Sequence, residues 1–199
     1  MTGAVAFWFE FASTYSYPAA MTLEAEAARR GVRVIWRPFL LGPIFAEQGW
    51  TDSPFNLQPS KGRYMWRDLE RTCARLGLPW ARPAIFPQHT VRAARLALVG
   101  ADAEWGPGFV RAVYRANFAE GRDIADAAVL RAALAEAGAD PGAAMAEAGT
   151  AETKSALRAQ VDAARQAGIF GAPSFTVGEE LYWGHDRMAE ALDHAAGRA

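Results

Sequence analysis

The chain of 199 residues is short of cysteine and contains a single one, Cys73. One cysteine excludes an intramolecular disulfide, a Cys-x-x-Cys redox pair and a zinc site built from several thiolates. Cys73 lies on the apolar stripe of a predicted helix, so we interpret it as a small core residue. The three histidines are scattered and have no neighbouring acidic pairs, which also argues against a metal site.

The sequence has no excess of charge and no long hydrophobic run. Its 21 basic and 22 acidic residues give a net charge of -1, which offers no electrostatic footprint for nucleic acid or an anionic membrane. No stretch approaches the roughly 18 apolar residues of a membrane span, and Glu10 interrupts the first apolar run. We therefore expect a cytoplasmic protein that binds neither nucleic acid nor membrane.

The first 38 residues predict a strand, a helix and a second strand. Alternate positions of residues 5–11 are bulky and apolar, which indicates a buried strand. Helix formers follow from residue 19 to residue 30 and stop at Gly31. Residues 32–36 are β-branched and aromatic and are closed by Pro38. This order favours parallel pairing of the two strands.

Residues 40–168 show helical periodicity and no convincing strand. Helices are predicted around residues 65–76, 91–98, 109–116, 124–138 and 152–168. Residues 42–60 contain several glycines and prolines together with Trp50 and Phe55, and are predicted to form a long irregular loop. Loops of this kind often serve a binding site.

Strand patterns return at residues 174–177 and 181–183, and the short spacer between them predicts a hairpin. A terminal helix follows, with Asp186 as its expected N-cap. Strand-helix-strand, helical block and hairpin-helix is the element order of a thioredoxin-type fold interrupted by helices. We therefore predict an α/β protein with a discontinuous thioredoxin-like domain (residues 1–39 and 169–199) and an inserted all-helical domain (residues 40–168).

Ser13 lies at the junction of the first strand and the first helix. Free backbone N–H groups and the positive end of the helix dipole favour an anion there, and would stabilise a thiolate. Ser13 and Ser16 occupy the positions where thioredoxin-fold redox enzymes carry Cys-x-x-Cys. Because serine cannot form a disulfide, a nucleophilic sulfur would have to arrive with a ligand. The alternative is that Ser13 only caps the helix.

Pro173, in the segment Gly171-Ala172-Pro173, comes directly before the predicted hairpin. About 5–6% of X-Pro bonds in folded proteins are cis, so the sequence alone predicts an ordinary turn. A cis bond would leave the Ala172 backbone free to pair with an extended, peptide-like ligand.

Four separated motifs carry a family resemblance. They are Phe7-Trp8-Phe9-Glu10-Phe11-Ala12-Ser13 with Tyr15-Ser16-Tyr17, Pro59-Ser60-Lys61-Gly62-Arg63-Tyr64, Gly171-Ala172-Pro173, and Trp183-Gly184-His185-Asp186-Arg187. With these motifs in this order, the chain resembles the 2-hydroxychromene-2-carboxylate isomerases and their relatives, the kappa-class glutathione transferases, over nearly its whole length. The resemblance implies a DsbA-like thioredoxin fold with a large helical insertion, a homodimer, and glutathione as the cofactor.

The same resemblance implies roles for individual residues. Ser13 would hydrogen-bond the glutathione sulfur and favour its thiolate. Ala172 and Pro173 would hold the cysteinyl part through the backbone, and Lys61 would contact the tripeptide. Asn56, in a loop that the resemblance does not align, is a separate candidate for a further ligand contact. The residues implied for the γ-glutamyl end are Trp183, Gly184, His185 and Asp186. A helix N-terminus can hold a carboxylate there, and Asp186 an ammonium group.

The implied activity is a glutathione-dependent isomerisation in the catabolism of aromatic compounds. It would interconvert 2-hydroxychromene-2-carboxylate and trans-o-hydroxybenzylidenepyruvate through thiolate addition, bond rotation and elimination, so the expected substrate is an aromatic-derived keto acid. Two alternatives stay open. One is a kappa-like glutathione transferase, and the other is a non-catalytic thioredoxin-fold module that binds peptides.

Overall fold

A parallel strand-helix-strand unit opens the chain, as its sequence pattern predicts. The computed structural model, which describes residues 3–198, has β1 at Ala4–Phe9, α1 at Ser16–Arg30 and β2 at Arg33–Pro38. β1 and β2 pair in parallel. α1 ends at Gly31, whose φ of 66° is a left-handed conformation that glycine adopts without steric cost.

The prediction of a helical block after residue 40 is confirmed, since eight α-helices follow β2 before the next strand. They are α2 (Leu41–Glu47), α3 (Pro54–Leu57), α4 (Pro59–Leu76), α5 (Val91–Val99), α6 (Gly106–Phe118), α7 (Ala127–Glu136), α8 (Pro141–Ala148) and α9 (Ala151–Gln166). The irregular loop predicted over residues 42–60 is wrong, because α2, α3 and the start of α4 occupy most of it. Pro54 and Pro59 each take a first helical position, where the missing N–H leaves no hydrogen bond unmade.

The end of the chain forms the predicted hairpin and terminal helix. β3 covers Ser174–Val177, β4 covers Glu180–Trp183, and α10 covers Met188–Ala195. The expected N-cap role of Asp186 is wrong. Asp186 lies in a 3₁₀ turn, His185–Arg187, and no side chain caps α10.

The sheet has the strand order β2-β1-β3-β4, which makes β1 a central strand. β1 runs parallel to β2 and antiparallel to β3, with Phe7 opposite Phe175. The end of β1 and the segment that enters β3 therefore lie at the same edge of the sheet. This topology brings residues after position 9 next to residues before position 174.

Both faces of the sheet are buried. Phe7 and Phe9 pack on one face, where Phe9 approaches Tyr114 of α6 with 6.3 Å between ring centroids. Trp8 points to the other face and packs with Phe39 and with residues of α2 and α9. Because one hydrophobic cluster contains residues of β1, α1 and α6, the sheet shares its core with the inserted helices. Among residues 3–198 no helix combines the length and the hydropathy of a membrane span.

Candidate active site

Ser13 meets the turn before β3, although 159 positions separate Ser13 from Ala172. The Ser13 hydroxyl donates a hydrogen bond of 2.7 Å to the carbonyl oxygen of Ala172. The peptide bond between Ala172 and Pro173 is cis, where the sequence alone predicts an ordinary turn. Two of the motifs singled out in the sequence therefore form one site.

Ser13 does not cap α1. The helix begins at Ser16, its N-cap is Tyr15, and no side chain makes a capping hydrogen bond. Within the described residues, the backbone N–H groups of Thr14 and Tyr15 donate no hydrogen bond. Two free donors and a hydroxyl thus lie at the positive end of a 15-residue helix, an arrangement that favours an anion.

The buried carboxyl group of Glu10 supports the loop that carries Ser13. Glu10 is 7% exposed, and its Oε1 accepts the N–H of Ala12 at 3.3 Å. Burial raises the pKa of this carboxyl, while hydrogen bonds from Thr90 and from the backbone at Leu41 act in the opposite direction. Leu41 starts α2 and Thr90 is the N-cap of α5. The Glu10 carboxyl therefore lies against the starts of two inserted helices and directly bonds the Ser13 loop.

Two side chains of α6 hold the backbone of the same loop. The Tyr114 hydroxyl donates to the Glu10 carbonyl at 2.9 Å, and the Asn117 amide donates to the Phe11 carbonyl at 3.0 Å. The Glu10 carbonyl also accepts the N–H of Ser13 at 2.9 Å. The position of Ser13 is thus fixed by polar contacts that come from the insertion.

The end of the hairpin is joined to the cis-proline segment. The N–H of Gly184 donates to the Pro173 carbonyl at 2.9 Å. Trp183, which is 53% exposed, covers Gly171 so closely that a Cβ added there would lie 2.4 Å from the indole Nε1. Gly184 has φ 108° and ψ 151°, a conformation open in practice to glycine alone. Trp183 and Gly184 therefore belong to the same site as Ala172.

His185 and Asp186 differ in their surroundings. His185 is half-buried, and its pKa is lowered mainly by burial and further by Arg75, while Asp186 and Asp68 act in the opposite direction. The neutral imidazole is therefore favoured at neutral pH. The Asp186 side chain is 75% exposed, and its Oδ2 lies 3.7 Å from the Arg187 guanidinium.

α4 faces the Ser13 loop through a contact that the sequence does not reveal. The Tyr15 hydroxyl donates to Asp68 Oδ2 at 2.9 Å, and Arg71 donates to Asp68 Oδ1 at 3.1 Å. Burial raises the pKa of Tyr15, so its phenol keeps the proton that it donates. The exposed Lys61 is seven residues before Asp68, two helical turns along the same side of α4. No sequence pattern links Asp68 to Tyr15, since the contact depends on tertiary packing.

Asn56 lies on α3 and contacts the segment before α5. Its amide nitrogen donates to Asp52 at 3.0 Å and to the Phe86 carbonyl at 3.1 Å. It lines a cavity with Trp66 and Trp80, and its neighbour Phe55 packs against Tyr15 of the Ser13 loop. A ligand contact by Asn56 stays a prediction.

Cys73 is fully buried, so its interpretation as a core residue is confirmed. Burial raises the pKa of its thiol to about 11, which disfavours the reactive thiolate. Between residues 3 and 198, the His, Cys, Asp and Glu side chains form no group suited to hold a metal ion.

The four-stranded sheet, the cis-proline turn and the Ser13 junction define a thioredoxin fold of the DsbA type. The family model for a DSBA-like thioredoxin domain matches residues 4–196. The chain therefore belongs to the DsbA-like thioredoxin family and, within it, to the isomerases whose members are described next.

Two bacterial proteins named 2-hydroxychromene-2-carboxylate isomerase are similar to it. The protein from Sphingobium xenophagum is 33% identical over 94% of this chain and 95% of its own length. The protein from Pseudomonas putida is 29% identical over 98% of this chain and 94% of its own length.

Solved structures agree with this assignment. A 2-hydroxychromene-2-carboxylate isomerase superposes with a TM-score of 0.86 at 26% identity, covering 98% of this chain and 95% of the other. The cytosolic disulfide reductase DsbM from Pseudomonas aeruginosa superposes with a TM-score of 0.67 at 18% identity, covering 98% of this chain and 96% of the other. The second likeness shows the fold alone.

Proposed function

We propose that this isomerase interconverts 2-hydroxychromene-2-carboxylate and trans-o-hydroxybenzylidenepyruvate, with glutathione as its cofactor. The names of its relatives support the substrate. The observation that carries the proposal is the hydrogen bond between Ser13 and Ala172, because it puts a hydroxyl donor beside a backbone carbonyl that can pair with a peptide.

The residues at the site suit a tripeptide with two carboxylates and one ammonium group. The Ala172 carbonyl can accept a backbone N–H in the manner of strand addition. Lys61 is an exposed cation and Asp186 an exposed anion, and each is the opposite of a charge that glutathione carries. The free N–H groups of Thr14 and Tyr15 favour an anionic sulfur next to Ser13.

Glutathione, when bound, supplies a thiolate whose reversible addition turns a carbon-carbon double bond into a single bond that can rotate. Ser13 contributes its hydroxyl proton. The Ser13 hydroxyl donates its hydrogen bond to the Ala172 carbonyl. Rotation of the hydroxyl toward the sulfur frees that carbonyl to accept an N–H of the tripeptide. A hydrogen bond to a charged acceptor contributes about 1.5–3 kcal/mol, which lowers the thiol pKa by roughly one to two units.

The fold provides no second redox group for this site. Cys73 is buried in the core, and Ser16 cannot form a disulfide. An isomerisation needs neither, because it involves no net oxidation or reduction.

The test is turnover of 2-hydroxychromene-2-carboxylate with and without glutathione. We expect turnover only with glutathione, and a fall in kcat of about 10²–10³ in Ser13→Ala, the usual effect of removing one donor to a developing charge. Ser155→Ala, at an exposed serine of α9, is the matched control and should keep full activity.

Two other outcomes would contradict the proposal and support one of the alternative functions. Turnover of 1-chloro-2,4-dinitrobenzene with release of a glutathione adduct, and no turnover of the chromene, would indicate a kappa-like transferase. Peptide binding that survives Ser13→Ala, with no glutathione-dependent turnover, would indicate a non-catalytic module.

The proposal also includes a homodimer in the cytoplasm, which rests on the family resemblance. Sedimentation velocity of the purified protein tests the subunit number, and a monomer at micromolar concentration would contradict it.

A further inference from the structure

A cavity of about 800 Å³ opens between α3, α4 and the segment before α5. This is within the usual size range of small-molecule sites. Its walls are Phe55, Asn56, Pro59, Gly62, Arg63, Trp66, Arg67, Glu70, Trp80 and Arg82. We call it the Trp66 cavity.

The Trp66 cavity lies across α4 from the Ser13 loop. Asp68 contacts Tyr15 of that loop. Trp66 and Glu70 are each two residues from Asp68, which is about 200° around an α-helix. Neither Ser13 nor the cis-proline segment lines the cavity. Phe55 of its wall packs against Tyr15 of the Ser13 loop with 6.4 Å between ring centroids. The cavity therefore borders the candidate active site but includes neither the Ser13 hydroxyl nor the Ala172 backbone.

Aromatic rings form one wall of the cavity. The Trp66 and Trp80 ring centroids are 5.9 Å apart, and Phe86 meets Trp66 edge-on at 4.8 Å. Both indoles are half-buried, so each is held in place while part of its surface stays open. Such a wall favours a planar, apolar ligand.

The charge of the cavity is positive, with three arginines and one glutamate. Glu70 pairs with Arg67 at 2.6 Å. Arg63 donates to the Ser60 hydroxyl at 3.1 Å, and the Arg82 guanidinium lies 4.6 Å from the Trp66 ring centroid. Within residues 3–198, neither Arg63 nor Arg82 forms an ion pair with a carboxylate. Two guanidinium groups are therefore available to an anion, and their planar donors match a carboxylate.

From this combination we infer that the Trp66 cavity binds an aromatic carboxylate at a second site of this protein. The ring of the ligand packs against the aromatic wall beside Arg82, whose guanidinium lies over Trp66, and its carboxylate pairs with Arg63 and Arg82. Binding at this site does not depend on Ser13 or on catalysis, so its test is independent of the proposed function.

The test uses benzoate as the probe and the indole N–H resonances of the seven tryptophans as reporters. Trp66→Phe and Trp80→Phe assign two of these resonances. Benzoate should shift the Trp66 and Trp80 signals in a saturable way and leave Trp183, beside Ala172, unmoved. A shift of Trp183 alone would place the probe at the active site and overturn the inference.

Two neutral or non-aromatic probes check the ligand class. Benzyl alcohol lacks the charge, and inorganic phosphate lacks the ring. Each should bind at least about tenfold more weakly than benzoate, the loss expected for one missing charge-assisted contact or stacking contact. Equal binding of either probe would show that ring or charge alone suffices, and would contradict an aromatic carboxylate site.

Charge-neutral variants locate the contacts. Arg63→Gln with Arg82→Gln should weaken benzoate binding about tenfold or more. Arg131→Gln, at an exposed arginine of α7, is the matched control and should bind as the parent does. Unchanged affinity in the double variant, with the tryptophan shifts retained, would refute the role of these guanidinium groups.

Discussion

At the residue scale, a hydroxyl at Ser13 stands where redox relatives of the fold carry a cysteine, so this position has no thiol of its own. It donates to the Ala172 carbonyl, so its proton is directed toward the cis-proline segment. A cysteine at this position would gain the same free N–H groups and a stabilised thiolate. It would still lack a partner, because Cys73 is buried with a pKa raised to about 11.

Ser13→Cys should therefore not oxidise dithiols. The rate at which the variant oxidises a reduced dithiol peptide, measured by free-thiol assay, should equal that of the parent protein. Ser13→Cys combined with Ser16→Cys restores the Cys-x-x-Cys spacing and serves as the positive control. Efficient oxidation by the single variant would contradict the inaccessibility of Cys73.

His185 makes the free energy of unfolding depend on pH. Its pKa is lowered in the folded state from the ordinary value of 6.5, chiefly by burial. The folded chain therefore binds this proton less readily than the unfolded chain, so the contribution to stability is full above pH 6.5 and is lost as pH falls through the folded pKa.

His185→Gln should reduce that loss. Urea unfolding at pH 7.5 and pH 5.5 should show a smaller fall in unfolding free energy for the variant than for the parent. His89→Gln is the control, at an exposed histidine. An identical pH dependence of the parent and His185→Gln would contradict the lowered pKa.

At the scale of elements, the local sequence pattern predicts some helices and strands correctly and fails for others. The hairpin of β3 and β4 follows from strand residues around a short spacer, and α1 from helix formers that end at Gly31. The proline and glycine content of residues 42–60 favours a loop, whereas Pro54 and Pro59 start helices there. The prediction also omits α8, although Asp140 caps this helix and Pro141 starts it.

The turn after β4 provides an element-scale prediction. A Cβ at Gly184 would lie 2.5 Å from Asp186 Oδ1, and the backbone conformation there excludes other residues. Gly184→Ala should cost about 1–3 kcal/mol of unfolding free energy and, under the proposed function, weaken glutathione binding by displacing Asp186. Calorimetric titration and urea unfolding measure the two effects.

Gly178→Ala is the matched control for this variant. Gly178 also has a positive φ, of 57°, in the hairpin turn, but a Cβ there meets no atom within 4 Å. Gly178→Ala should lower the unfolding free energy by about 1 kcal/mol and leave glutathione binding unchanged. Equal effects of the two alanines on binding would contradict a positioning role for the Gly184 turn.

At the scale of the whole molecule, Glu10 joins the two parts of the chain. Its carboxyl group accepts the Ala12 N–H, and hydrogen bonds from Thr90 and Leu41 offset part of the effect of burial on its pKa. Tyr114 and Asn117 of the inserted α6 bond the backbone of the same loop at Glu10 and Phe11. A change at Glu10 therefore affects the Ser13 loop where the sheet meets the insertion.

Glu10→Gln should destabilise the protein by about 1–3 kcal/mol, because an amide nitrogen replaces one acceptor and meets backbone donors. Urea unfolding followed by tryptophan fluorescence and by far-ultraviolet circular dichroism measures this cost. Glu179→Gln, at an exposed glutamate of the hairpin turn, is the control. A cost no larger than that of the control would show that the Glu10 contacts contribute nothing net.

The sequence by itself determined the order of the elements, the buried strand β1, the junction that carries Ser13 and the absence of a redox cysteine pair. These follow from local periodicity and from residue chemistry, which act over a few positions. Tertiary structure alone decided that Ser13 meets Ala172, that the bond before Pro173 is cis, that Tyr15 contacts Asp68, and that Trp66 and Arg82 line one cavity. Such contacts join residues far apart in the chain, and their geometry is set by the packing of a core shared between the sheet and the inserted helices.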